Sequence, residues 1–168
     1  MRVLVIGGAR SGKSAHAERR ALDTGRAVTY VATGEARDAE MAARIAHHRA
    51  RRPDGWRTVE EPLRLATALR RAAAPDACLL VDCLTLWLTN VILAERGEEI
   101  DALLEALPAL PGDLILVSNE VGWGIVPENE LARRFRDEQG RLNQRVAALA
   151  DEVTLVAAGL PLHLKASG

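Results

Sequence analysis

The chain is poor in cysteine: Cys78 and Cys83 are the only two, five positions apart, with neither a CxxC spacing nor histidines at metal-site intervals. A disulfide framework and a thiolate zinc site are thereby excluded, and both thiols are expected to be small buried residues. An excess of one charge is missing as well. Against 22 Lys and Arg stand 23 Asp and Glu, a net charge of -1, so nothing favours wholesale binding to nucleic acid or an anionic membrane. No apolar run approaches the roughly 20 residues of a membrane span, and the N-terminus lacks the cationic, apolar and cleavage segments of a secretory signal. A cytoplasmic protein acting on a small soluble ligand is the expectation. Repeats, low-complexity tracts and linkers are absent too, so residues 1–168 are expected to form one domain.

What is present is an alternation of short apolar strands with helical segments, the pattern of right-handed βαβ units and a mostly parallel sheet. The expected strands are "RVLVI", "AVTYVA", "CLLVD", "LILVS" and "EVTLVAAG". Between them "SAHAERRALDTG" reads as a helix stopping at Gly25, and "DAEMAARIAHHRARR" as one started by Asp38 and stopped before Pro53. "PLRLATALRRAAA", "LTLWLTNVILAERG" and "ENELARRFRDEQGRLNQRVAALA" complete the helices, the last with a weak point at Gly140, since an interior glycine costs about 1 kcal/mol against alanine.

The stretch "GGARSGKS", comprising Gly7, Gly8, Ala9, Arg10, Ser11, Gly12, Lys13 and Ser14, follows the first strand and opens the first helix. Its glycines let backbone N–H groups turn inward toward phosphate oxygens, at a helix N-terminus that already favours anions. Lys13 is expected to reach the β and γ phosphates of a nucleoside triphosphate, and the Ser14 hydroxyl to join the coordination of Mg²⁺. Asp82, ending "CLLVD", is either the carboxylate that holds the metal's water shell or a cap for the helix that follows.

Two further stretches carry candidate chemistry. In "RIAHHRARRPDGW" a histidine among arginines is what attack on phosphorus would use: a neutral imidazole attacks while guanidinium groups absorb negative charge. A solvated basic helix end accounts for the same residues. Helix neighbours lie about 100° apart, so His47 and His48 cannot both enter one site, whereas Arg44 and His48 share a face. In "SNEVGWGIVPENELARRFRDEQGRLNQ", a loop with Trp123 between Gly122 and Gly124 is placed either to bind a flat ligand or another subunit, or simply to connect strand and helix.

Together "GGARSGKS", "YVATG", "RIAHHRARRPDGW", "TVEEP", "LLVDCLTLWLTN" and the "SNEVGWGIVP" segment resemble the bifunctional adenosylcobinamide kinase / adenosylcobinamide-phosphate guanylyltransferase family, over nearly the whole chain. The resemblance implies a phosphate-loop, RecA-like α/β fold and a two-stage transferase of cobalamin biosynthesis. A nucleoside triphosphate, ATP or GTP, phosphorylates adenosylcobinamide; GTP then guanylylates an enzyme histidine, and adenosylcobinamide phosphate takes up the GMP to give adenosylcobinamide-GDP. The family's nucleophile is the histidine of the "RIxxH" string, which falls on His48. GTP contacts carry over to Gly7–Ser14, to Ala32, Thr33 and Gly34, to Arg49, Ala50, Arg51 and Arg52, and to Glu60 and Asp82. Members are homotrimers; the apolar "LTLWLTNVIL", with Trp87, suits either a subunit interface or a buried core helix. The competing readings are a simple phosphate-loop kinase with the histidine string purely structural, and a GTP-dependent switch presenting the Trp123 loop to a protein.

Overall fold

Stretches such as Val3–Val5 and Leu79–Val81 are apolar toward both sides of a strand, which requires a sheet covered on both faces. The computed structural model describes residues 1–35, 39, 42–43, 45–46 and 55–166. It contains strands β1 (Arg2–Gly7), β2 (Ala27–Ala32), β3 (Arg57–Glu60), β4 (Ala77–Asp82), β5 (Asp113–Asn119), β6 (Glu152–Ala157) and β7 (Leu160–Lys165). Helices α1 (Lys13–Asp23), α2 (Leu65–Ala72), α3 (Leu84–Leu93), α4 (Glu98–Ala106) and α5 (Glu130–Leu149) connect them, with a 3₁₀ turn at Leu107–Ala109. Ala39, Ala42, Ala43, Ile45 and Ala46 are helical as well, in the segment read as the second helix.

The strands form one 7-stranded sheet in the order β3-β2-β4-β5-β1-β6-β7, parallel throughout except for β7, which runs antiparallel to β6. This is the phosphate-loop, RecA-like α/β architecture expected. Alternation along the strands divides the core. Leu4, Val31, Leu79, Leu114 and Val153 face α2 to α5, whereas Val3, Val5, Leu80, Ile115 and Val117 face the small Ala17 and Ala21 of α1. Trp87 of α3 has no exposed surface, and its indole N–H donates to the Leu63 carbonyl at 2.8 Å. The apolar character of α3 is thus largely that of a core helix, with Leu93 at its end half exposed.

Several elements depart from the expected ones. β3, β7 and α4 were not foreseen. β7 contains Pro161 and is exposed along its whole length, a combination tolerated at a sheet edge where one row of N–H groups needs no partner. α2 begins at Leu65 rather than at Pro62, because the Glu61 carboxylate accepts from the N–H groups of Leu63 and Arg64 and holds them outside the helix. α5 runs unbroken through Gly140, where a methyl group would meet nothing within 4 Å. Both cysteines are free and buried, as expected. Burial pushes each thiol up to about 11, with the Asp82 carboxylate adding to the effect at Cys83.

Candidate active site

The cradle between β1 and α1 is fixed mainly by its own backbone. A Cβ on Gly7 would come within 2.5 Å of both the Val156 carbonyl oxygen and Ser11 Oγ. Gly12, with φ +94°, starts α1 from the left-handed region, and Arg10 also has a positive φ of 55°. The loop is tied to its neighbours: the Gly159 N–H donates to the Ser11 carbonyl at 2.8 Å, and the Glu120 N–H to the Gly7 carbonyl at 3.0 Å. Lys13 arches back over the loop, its Nζ donating to the Gly8 carbonyl at 3.1 Å. Gly8, Ala9, Arg10 and Gly12 are exposed, and Lys13 and Ser14 are half-buried in the first turn of α1, where the helix dipole favours an anion.

The register of the sheet brings the other expected residues to the same carboxyl edge. Ala32 pairs with Glu60 on one side and with Asp82 on the other, so three residues from separate parts of the sequence stand in a row. Asp82 Oδ2 accepts from the Tyr30 hydroxyl at 3.0 Å. Its alternative role is not taken up: Cys83, not Asp82, occupies the position before α3, and no side chain caps that helix. Thr33 is fully buried; its hydroxyl donates to the Cys83 carbonyl at 2.7 Å and accepts from the Cys83 N–H at 3.0 Å, which pins the end of β4 to the end of β2. β5 joins the cradle to β4: its Asn119 pairs with Gly7 on one side and its Val117 with Asp82 on the other. A Cβ on Gly34 would meet Leu86 Cδ1 at 3.1 Å and Ile45 Cδ1 at 3.7 Å.

One part of the site was missed from sequence. Ser118, at the end of β5, is fully buried; its hydroxyl donates to Asn143 Oδ1 at 2.6 Å and accepts from Gln139 Nε2 at 2.9 Å. Asn143 Nδ2 in turn donates to the Asn119 carbonyl at 3.0 Å, and the Asn119 N–H donates to Thr85 Oγ1 at 2.8 Å. α3 and α5 thus clamp both sides of the Asn119 backbone. The i, i+4 pair Gln139 and Asn143 on a helix was a visible signal, but only the fold shows what it faces.

His48, with Arg49, Ala50, Arg51 and Arg52, lies outside the described residues, as do Arg44 and His47. The flanks of that string are described. Ile45 lies against the Gly34 turn, and Trp56 packs onto the smaller core between sheet and α1.

The chain is similar to known proteins. The family described as cobinamide kinase / cobinamide phosphate guanyltransferase matches residues 3–164. The chain is 57% identical over 169 residues to the bifunctional adenosylcobalamin biosynthesis protein CobP of Pseudomonas aeruginosa, covering 98% of each protein. It is 47% identical to the bifunctional protein CobU of Salmonella typhimurium, covering 98% of this chain and 100% of the relative. Among solved structures, the flagellar accessory protein FlaH of Methanocaldococcus jannaschii shares the fold alone, with a TM-score of 0.56 at 14% identity over 99% of this chain and 78% of that one.

Proposed function

Because the chain belongs to the cobinamide kinase / cobinamide phosphate guanyltransferase family, we propose that it phosphorylates adenosylcobinamide from ATP or GTP and then transfers GMP from GTP, giving adenosylcobinamide-GDP. The observation that carries the reading is one sheet edge that holds the phosphate cradle with Lys13 folded over it, Asp82, Ala32 and Glu60.

In the first stage the cradle N–H groups and Lys13 bind the terminal phosphates and stabilise the charge that grows on the departing diphosphate. Ser14 and Asp82 would hold Mg²⁺: one alcohol and one carboxylate suit an ion that keeps most of its ligands as water and phosphate oxygen, and it would neutralise phosphate charge. In the second stage His48 is the nucleophile. Its neutral imidazole nitrogen forms a bond to the α-phosphorus, the bond to pyrophosphate breaks, and Lys13 and the cradle take up the charge released. Arg49, Arg51 and Arg52 help hold His48 unprotonated and meet the triphosphate. The substrate phosphate then displaces the imidazole, and water must be kept away until it does.

The protein acts in the cytoplasm as a homotrimer; the apolar side chains exposed at Trp123, Ile125 and Val126 supply surface for such contacts. Among the described residues no helix is long and apolar enough to cross a membrane. Incubating the protein with adenosylcobinamide, Mg²⁺ and either ATP or GTP, and separating the corrinoids by mass, tests the proposal. A phosphorylated product with either nucleotide and a GDP derivative with GTP are expected. Triphosphate hydrolysis without any corrinoid product would contradict it and leave the switch reading.

A further inference from the structure

Asn119 is held more firmly than a strand end requires. Thr85 fixes its N–H, Asn143 fixes its carbonyl, and Asn143 is itself held by the buried Ser118 and Gln139. Yet its own side-chain oxygen, Oδ1, is buried with no hydrogen-bond partner among the described residues, as is Ser11 Oγ in the cradle, on a residue only 9% exposed. A buried carbonyl oxygen without a partner is costly, which points to a ligand or water that completes it.

Its position says what that partner is. β5 lies between β1 and β4; Asn119 pairs with Gly7, the first residue of the cradle, and Asp82 pairs with Val117. Asn119 continues the alternation of Ile115 and Val117, and Asp82 that of Cys78 and Leu80, so both leave the sheet on the side of α1 and the phosphate loop. The oxygen therefore stands between the cradle and the carboxylate. Phosphate oxygens are acceptors and cannot satisfy another acceptor, whereas an O–H group beside the terminal phosphate can.

We propose that Asn119 orients the attacking hydroxyl of the alcohol substrate in the kinase stage, its Oδ1 accepting the hydroxyl's hydrogen bond. The inference rests on the kinase half of the proposed function and adds the residue that positions the acceptor. An electron pair of the hydroxyl oxygen forms the new bond to the γ-phosphorus, and the bond from that phosphorus to the bridging oxygen breaks, leaving its pair on the nucleoside diphosphate. Asn119 is not a base: its amide oxygen holds the hydroxyl hydrogen until the new O–P bond makes it acidic, and the proton then leaves through water to solvent. Attack by His48 on the α-phosphorus involves no alcohol and does not need this contact.

The test is Asn119→Ala in the full-length protein, with adenosylcobinamide phosphorylation and GTP-dependent protein guanylylation measured side by side. The expected result is a fall in kcat for phosphorylation of about 10²-fold, the scale of lost positioning. The nucleotide KM should move little, and the ratio of phosphorylation to guanylylation should drop at least tenfold. Asn119→Asp keeps an acceptor oxygen in place and should recover part of kcat with a raised nucleotide KM; it also serves if the alanine variant does not fold. An equal loss of both activities, or a loss accompanied by a shifted Mg²⁺ requirement for nucleotide binding, overturns the inference in favour of a contact to nucleotide or metal-bound water. Unchanged kinetics overturn it as well. A wild-type protein that guanylylates itself but phosphorylates no alcohol refutes the kinase reading directly, an outcome visible before any variant is compared.

Discussion

Two glycine-containing loops leave the same edge of the sheet and lead into helices, and they are built in opposite ways. The cradle after β1 is closed against its surroundings: Gly7 has no room for a methyl group, Ser11 is buried, and Gly159 and Glu120 donate hydrogen bonds that tie it to β6 and β5. The loop after β5 is open. Trp123 is 78% exposed, Ile125 97% and Val126 60%, and a Cβ on Gly124 would meet nothing within 4 Å. Packing and backbone conformation dictate two residues of the first loop: Gly7, where a Cβ would clash, and Gly12, with its positive φ and Gly159 close by. Packing among the described residues buries little of the apolar side chains of the second, an exposed patch suited to contact with a substrate or another subunit.

The contrast can be broken most forcefully at Gly7. Gly7→Ala forces a methyl group against the Val156 carbonyl, and should cost about 1–3 kcal/mol of stability together with triphosphate binding. Gly124→Ala makes the same chemical change in the open loop and should move the unfolding midpoint by no more than about 0.5 kcal/mol equivalent. Comparable losses from denaturant titration of the two variants would remove the distinction. Lys13→Ala leaves the fold intact but should lower phosphorylation and guanylylation each by about 10²–10³-fold, since one group meets developing charge in both; steady-state kinetics of the two reactions decide it. Trp123→Ala should leave stability within about 0.5 kcal/mol while reducing corrinoid turnover or the native mass seen by light scattering. A large destabilisation would mean that the loop packs internally after all. The smallest effect is expected at the cysteines, whose raised pKa of about 11 leaves little thiolate, so a thiol reagent at pH 8 should label neither until the protein is unfolded.

The closed loop was also the part most legible from sequence. Strand, glycines, lysine and helix follow one another locally, so composition and spacing suffice to place Gly7–Ser14. Asp82 is half legible: its place at a strand end is readable, but only the fold shows that Cys83 precedes the helix and that Asp82 does not cap it. Asn119 has no role legible in the sequence, because its clamps come from Thr85, Ser118, Gln139 and Asn143, brought together only by folding. Among the elements, β3 and β7 escaped as short or exposed edge strands. α4 escaped although Ile100, Leu103 and Leu104 have helical spacing, because it is short and bounded by Gly97 and Pro108. The choice of His48 over His47 came from the resemblance, which neighbouring positions on a helix could only make mutually exclusive.

On the proposed function, His48 takes the GMP unit from a GTP whose triphosphate the cradle holds, and pyrophosphate leaves. Intact-mass measurement after incubation with GTP and Mg²⁺, before and after acid treatment, tests it most directly, because a phosphoramidate is labile to acid and stable to base. One added GMP unit is expected on the wild-type protein, lost in acid, and none on His48→Ala, which still phosphorylates adenosylcobinamide. An adduct of the same mass on the His48→Ala protein, or no adduct on the wild type, would contradict it.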